Sequence, residues 1–361
     1  MYIRRYLEPN ILKSIQNFPV TAVTGPRQCG KSTLVKHLLE VSLENIYLDL
    51  ERPSDLRKLE DAKWLLTYQK DKLICIDEIQ RKPELFPLIQ SLVDEWNHPG
   101  CFLFVSSALQ DLLRQILESL AGRISYKKLT PLLWNELENG YSVEKYFSAG
   151  SFPGSLLNQD NEDSFEWREN FVTNFLERDL LQWAGFTPSI MRRLWQMLAH
   201  LNGQMVNYST LATPLGITST TVKNYIDVLA GIYMIEIIPP NISNLGKRLV
   251  KVPKVYVSDS GVTAALLGLR SFEDLSGYPA FGSLWEQIVL SNLKGLYPET
   301  EFFYYRTTND AETDFVMRIN KMIIAFECKS SYSPVLSKGN YLAFKDINPK
   351  HILVVTPSSD N

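Results

Sequence analysis

The sequence predicts an α/β fold: a parallel sheet with helices on both faces, then a mostly helical stretch, then a smaller unit of order α-β-β-β-α-β. Three observations predict it. Short apolar runs alternate with helix-length segments up to Leu129, as parallel strands joined by crossover helices do. From Leu132 to Gly203 the apolar spacing becomes mostly helical. From Ser283 onward three short strands follow one another, with a helix before and a helix and strand after.

The five early runs are Val20 to Val23, Ile46 to Leu50, Leu73 to Ile76, Phe102 to Val105 and Ile124 to Leu129. Their continuous apolar character suits strands buried on both faces. The first leads into Gly25, Pro26, Arg27, Gln28, Cys29, Gly30, Lys31 and Ser32, and a helix opens at Lys31 and continues through Thr33. This is a complete phosphate-binding loop. Glycines let consecutive backbone N–H groups turn inward, the helix N-terminus adds partial positive charge, Lys31 meets the β- and γ-phosphates, and the Ser32 hydroxyl reaches Mg²⁺. The chain is therefore expected to bind a nucleoside triphosphate with Mg²⁺.

The third run ends in Asp77 and Glu78. A phosphate-loop enzyme needs such a pair: Asp77 to hold Mg²⁺ through its water shell, Glu78 to polarise the attacking water. The fourth run ends in Ser106 and Ser107, which suit either contact with the γ-phosphate or an ordinary strand-end turn. Arg123 is a candidate cation for the γ-phosphate, in cis or from a neighbouring subunit, and equally an ordinary ion-paired arginine. Arg27 faces phosphate or solvent.

With 361 residues, 45% hydrophobic and 21% charged, the chain has ordinary globular composition and room for two or three domains, which excludes disorder. A formal net charge of −3 announces no nucleic-acid partner, so such a contact must come from a local basic patch. Cys29, Cys75, Cys101 and Cys328 form no Cys-x-x-Cys pair, and the four histidines are dispersed. Neither disulfides nor zinc are suggested, and a reduced, cytoplasmic protein is expected. No signal peptide and no membrane-length apolar run is visible.

Beyond Met205 come a short helix, a turn at Leu215, Gly216 and Ile217, a helix from Ser219 to Leu229, and the apolar run Met234 to Ile238 closed by Pro239 and Pro240. Helix-turn-helix followed by a strand reads as a winged helix. Its second helix offers Thr218, Ser219, Thr220, Lys223 and Asn224, and Lys247, Arg248, Lys251 and Lys254 follow with no acid among them. That cluster suits phosphate contacts. Winged helices also bind proteins, so DNA and a protein both stand as partners, and the oligomeric state is undefined. Asp259 reads as the N-cap of a helix from Val262 to Leu267.

Thr24 to Ser32, Asp77-Glu-Ile-Gln80 with Pro83, Leu120-Ala-Gly-Arg123, Gly150-Ser-Phe-Pro153 and Lys254-Val-Tyr-Val-Ser-Asp259-Ser-Gly261 together resemble the bacterial and archaeal family of AAA-type ATPases with a C-terminal domain of unknown function. The resemblance runs nearly end to end. It implies a P-loop NTPase sheet, ATP binding and ATPase activity. The family pattern has Gly-Ser-Ser where this chain has Ser106-Ser107-Ala108.

Within the last unit, a helix from Ser283 to Leu296 precedes strands Phe302 to Tyr305, Asp314 to Ile319 and Met322 to Glu327, then a helix from Leu336 to Phe344 and a strand from Ile352 to Val355. Asp314 is followed thirteen residues later by Glu327, then Lys329. This resembles the restriction-endonuclease-like fold, whose signature is Asp, a gap, then Glu-x-Lys. Residues i and i+2 of a strand share a face, so Glu327 and Lys329 converge. The resemblance implies a Mg²⁺ site at Asp314 and Glu327, Lys329 orienting a metal-bound water, and Glu286 adding a carboxylate. A solvated salt-bridging face is the plainer alternative.

The expected domains are 1–135, the ATPase; 136–245, helical and winged-helix; and 246–361, nuclease-like. Two functions are open: an ATP-dependent enzyme that binds or cleaves DNA, or an ATP-dependent regulatory switch whose nuclease-like domain is a silent scaffold.

Overall fold

In the computed structural model, which describes residues 2–42, 44–107, 120–137, 140–179, 185–240, 252–331 and 333–357, five parallel strands make the first sheet. They are β1 (Val20–Thr24), β2 (Asn45–Asp49), β3 (Leu73–Asp77), β4 (Phe102–Ser106) and β5 (Ile124–Lys128), in the order β2-β3-β4-β1-β5. Every residue of β1, β3 and β4 is buried, which requires cover on both faces, while the edge strands β2 and β5 are half-buried. The helix Lys31–Ser42 presents Leu34, Val35, Leu38 and Leu39 to the interior. A core of Leu48, Ile74, Ile76, Ile89, Phe102 and Phe104 fills the sheet's other contacts.

The chain divides into two compact units, Met1–Leu137 and Glu138–Asn361. The second opens with helices, including Asn161–Asn174 and Pro188–His200. After them come β6 (Gln204–Met205), helices Tyr208–Leu215 and Ser219–Gly231, β7 (Ile235–Ile238) and β8 (Lys254–Val257). β8 lies between β6 and β7, antiparallel to both. β8, which lies beyond the boundary expected between residues 245 and 246, is hydrogen-bonded to β6 and β7.

The last sheet has the order β12-β11-β10-β9, formed by β9 (Glu301–Arg306), β10 (Glu312–Ile319), β11 (Met322–Cys328) and β12 (His351–Val355). β10 runs antiparallel to both β9 and β11, and β12 runs parallel to β11. Helices Phe281–Leu296 and Lys338–Ile347 complete the α-β-β-β-α-β order. Between Thr313 and Val316 the β9–β10 register shifts, a bulge that changes how Asp314 is aimed. Among the described residues no helix is long and apolar enough to cross a membrane.

Candidate functional site

The phosphate-binding loop leaves the C-terminal end of β1. Gln28 and Gly30 have positive φ, 60° and 96°, so the backbone curls as an anion-cradling loop requires. At Gly25, φ is 151° and a Cβ would stand 2.1 Å from the Leu129 carbonyl oxygen, so only glycine fits. The buried Lys31 turns back over the loop, its Nζ donating to the carbonyls of Gly25 (3.0 Å) and Pro26 (2.7 Å). Those carbonyls occupy the role that phosphate oxygens would take, and the loop therefore fits a nucleotide. Ser32 is half-buried and Thr33 exposed at the helix start. Cys29 is buried, its thiol facing the Leu129 carbonyl at 3.7 Å, so it contributes backbone alone. Arg27 points outward and lies 3.6 Å from Glu51.

Asp77 ends β3, two strands from β1 on the same C-terminal edge of the sheet. Its carboxylate accepts from the Tyr47 hydroxyl and from the Glu78 N–H (3.0 Å). Burial and that bond to Asp77 push the Tyr47 phenol's pKa upward. Glu78 sits in the left-handed region, φ 55°. Its carboxylate accepts from the Gln80 side-chain amide and from the Ser107 hydroxyl at 3.1 and 3.0 Å. Ser106 in turn donates to Gln80 at 2.6 Å. The strand-end serines thus hold the Glu78 platform. Ala108, the third position of that box, lies outside the described residues.

Arg123 does not join this site in cis. It precedes β5, its carbonyl accepts from Val20 N at the opposite edge of the parallel sheet, and its guanidinium is 2.8 Å from Asp94. Five residues of strand, roughly 16 Å, separate it from the loop.

Sequence reasoning missed Arg5. Only 4% exposed, it donates to Glu136 (3.0 Å), the Cys29 carbonyl (3.0 Å), the Thr130 carbonyl (2.6 Å) and the Pro131 carbonyl (3.0 Å). It fastens the back of the phosphate-binding loop, and no local pattern marks a contact that long in sequence.

In the second unit, Glu286, Asp314, Glu327 and Lys329 line one pocket of about 380 Å³. The β10–β11 register pairs Phe315 with Phe326, so the next position, Asp314, comes level with Glu327. Asp314 accepts from Cys328 N at 2.7 Å, and Lys329 Nζ donates to Glu327 Oε1 at 2.7 Å. The other Glu327 oxygen is buried and has no hydrogen-bond partner among the described residues. Burial, reinforced by the negative charges of Glu286 and Glu327, pushes the Asp314 carboxyl well above the usual range. Glu286 is raised by burial too, against the opposing pull of Lys254 and a 2.8 Å hydrogen bond from Tyr256.

Lys254 is the correction here. Expected in a phosphate-contacting basic cluster, it is instead buried in this pocket, its Nζ 3.2 Å from Glu312 and 4.0 Å from Asp314. Lys247, Arg248 and Lys251 lie outside the described residues. The alternation Lys254-Val-Tyr256 carried the signal, since both side chains share one strand face. Among the described residues no three His, Cys, Asp or Glu form a ready-made metal-ligand set. The carboxylates are arranged around an ammonium group, and among the described residues the orphaned Glu327 oxygen marks room for a further cation.

Thr218, the N-cap of the Ser219–Gly231 helix, and Ser219, Thr220, Lys223 and Asn224 on it are exposed, with Lys223 paired to Asp227 at 2.8 Å. Asp259 caps the helix Ser260–Leu267 through Val262 N (2.9 Å) and also binds Ser151 N (2.6 Å) and Oγ (2.7 Å), which joins two distant sequence motifs.

Comparison with known proteins fits this division. Rv2008c of Mycobacterium tuberculosis, an uncharacterized protein, is 35% identical over 355 residues, covering 98% of this chain and 80% of that protein. Uncharacterized protein Mb2031c of Mycobacterium bovis matches to the same extent. The chain belongs to their family. Residues 17–138 match the AAA domain, 140–273 a domain of unknown function (DUF8612), and 281–361 another (DUF4143). The Walker-type ATPase PABY2304 of Pyrococcus abyssi shares the fold, with a TM-score of 0.52 at 16% identity over 73% of this chain and 96% of that one. The first unit is an AAA-type P-loop ATPase domain.

Proposed function

We propose that the first unit hydrolyses ATP with Mg²⁺, and that the second, read as a winged helix joined to a restriction-endonuclease-like domain, acts on DNA. The observation that carries the ATPase half is the pairing of a curled loop, closed over by Lys31, with Asp77 and Glu78 on the same sheet edge. Lys31 exchanges its two loop carbonyls for the β- and γ-phosphates. Ser32 and Asp77 would hold Mg²⁺, which would supply positive charge at the phosphate oxygens. Glu78 takes the proton of the attacking water, and to do so it must leave Ser107 and Gln80. Four buried, free cysteines fit a reducing compartment, the cytoplasm.

The order helix, strand, two helices, two strands from Pro188 to Val257 supports the winged-helix reading. Asp314 level with Glu327, with Lys329 and Glu286 in the same pocket, supports the nuclease-like one. Asp314 and Glu327 would hold Mg²⁺, which would supply Lewis acidity at a phosphodiester. Lys329 would orient the attacking water.

One observation favours the rival switch: Glu78 is tied to Ser107 and Gln80, a resting arrangement suited to slow turnover. The test is phosphate release and strand cleavage, scored separately, from full-length protein with Mg²⁺, ATP and labelled single- and double-stranded DNA. Both activities support the enzyme. Phosphate release without cleavage supports the switch, and neither activity overturns the proposal.

A further inference from the structure

We propose that Lys254 is the resident cation of the acidic pocket, so that a divalent ion binds Asp314 and Glu327 only as the Lys254 ammonium moves off. The inference rests on the nuclease-like reading of that pocket, and it assigns a positioning role to a residue outside the Asp, Glu-x-Lys constellation.

Lys254 comes from β8, in the other sheet of the unit, and reaches into a pocket otherwise built largely from the last sheet and the helix Phe281–Leu296. Its side chain is 5% exposed. The ammonium lies between Glu312 and Asp314 and 5.5 Å from the centre of the Tyr304 ring. Glu312 does not depend on Lys254, because Arg306 already pairs with it at 3.1 Å. The positive charge is thus in surplus at Glu312, and it compensates the deeper carboxylates.

That compensation is incomplete in a telling place. Glu327 keeps one buried oxygen with no partner among the described residues, although Lys329 satisfies the other. A second cation is therefore accommodated at Glu327, and its approach to Asp314 meets the repulsion of Lys254. Removing the Lys254 charge removes that repulsion and leaves the carboxylates uncompensated, and both effects draw a divalent ion in.

The experiment is Mn²⁺ binding by calorimetry on the full chain, stripped of metal with chelator. The proteins are wild type, Lys254→Met, the double variant Lys254→Met with Glu312→Gln, and Glu327→Gln. Both Lys254 variants should bind Mn²⁺ roughly tenfold tighter or more, and Mn²⁺ should raise their Tm by more than it raises the wild type's. The double variant lowers the unpaired charge and so keeps the test valid if Lys254→Met folds poorly. Equal or weaker affinity in both overturns the inference. If wild type binds through Glu327 but the Lys254 variants do not tighten, this inference alone fails. If Glu327→Gln matches wild type and no variant tightens, the metal reading of the pocket fails with it.

Discussion

Replacing Arg5 by Met should destabilise the first unit by about 3–5 kcal/mol, the usual cost of stripping one partner from a buried ion pair. The side chains of Arg5 and Glu136 are 4% and 3% exposed, and their charged atoms meet at 3.0 Å. Met fills comparable volume but donates nothing, so among the described residues the Glu136 carboxylate is left with the Tyr6 N–H (2.6 Å) and Leu133 N–H (2.8 Å). The carbonyls of Cys29, Thr130 and Pro131 lose their guanidinium donors as well. Their loss is not added in full, because backbone carbonyls find water or relax. For a unit of this size the shift is roughly 10–20 °C in Tm, readable by calorimetry or circular dichroism. Since Cys29 lies within the phosphate-binding loop, ATP affinity should fall too. The double variant with Glu136→Gln removes the stranded charge and should recover at least half of the lost stability. A loss below about 1 kcal/mol, or no recovery in the double variant, would refute the claim that this pair orders the back of the loop.

Gly25→Ala should cost at least about 1–3 kcal/mol and abolish nucleotide binding, because the new Cβ meets the Leu129 carbonyl at 2.1 Å in an unfavourable backbone conformation; a nucleotide titration and a thermal melt read both effects. Ser107→Ala should alter phosphate release without altering ATP affinity, since Ser107 binds Glu78 and not the loop; unchanged turnover would remove it from the site. Asp259→Asn should flatten the pH dependence of stability. Burial raises the Asp259 pKa in the folded chain even against its bonds from Ser151 and Val262. The folded chain therefore holds this proton more tightly, and stability is lost as pH rises from about 4, the unfolded value, through the raised folded one. Relative to the variant, wild type should lose Tm across that window; a gain would reverse the assignment.

The phosphate-binding loop and all five strands of the first sheet were legible because each is a local signal: a continuous apolar run, then glycines, Lys31 and Ser32 in fixed spacing. The spacing of Asp314 on β10, Glu327 on β11 and Lys329 just past its end was legible for the same reason. What was not legible depended on which end of a strand faces what. Arg123 precedes a parallel strand, so it falls on the edge opposite the loop, a consequence of strand direction rather than of the residues around it. Lys254 read as surface charge because three other cations stand near it in sequence, yet pairing of β8 with β6 and β7 turns it into a buried pocket. Arg5 and Glu136, or Ser151 and Asp259, meet across more than a hundred residues, and only the folded chain brings them together.

The central claim, that Glu78 is the base of an ATPase built on the Lys31 loop, is tested most directly by steady-state phosphate release from Glu78→Gln beside calorimetric ATP binding by the same protein. The amide keeps the shape and the hydrogen-bonding capacity but cannot take a proton. The expected result is wild-type-like ATP affinity with turnover lowered by about 10²–10⁴-fold in the presence of Mg²⁺. Turnover equal to wild type, or no ATP binding by the wild-type chain, would contradict it.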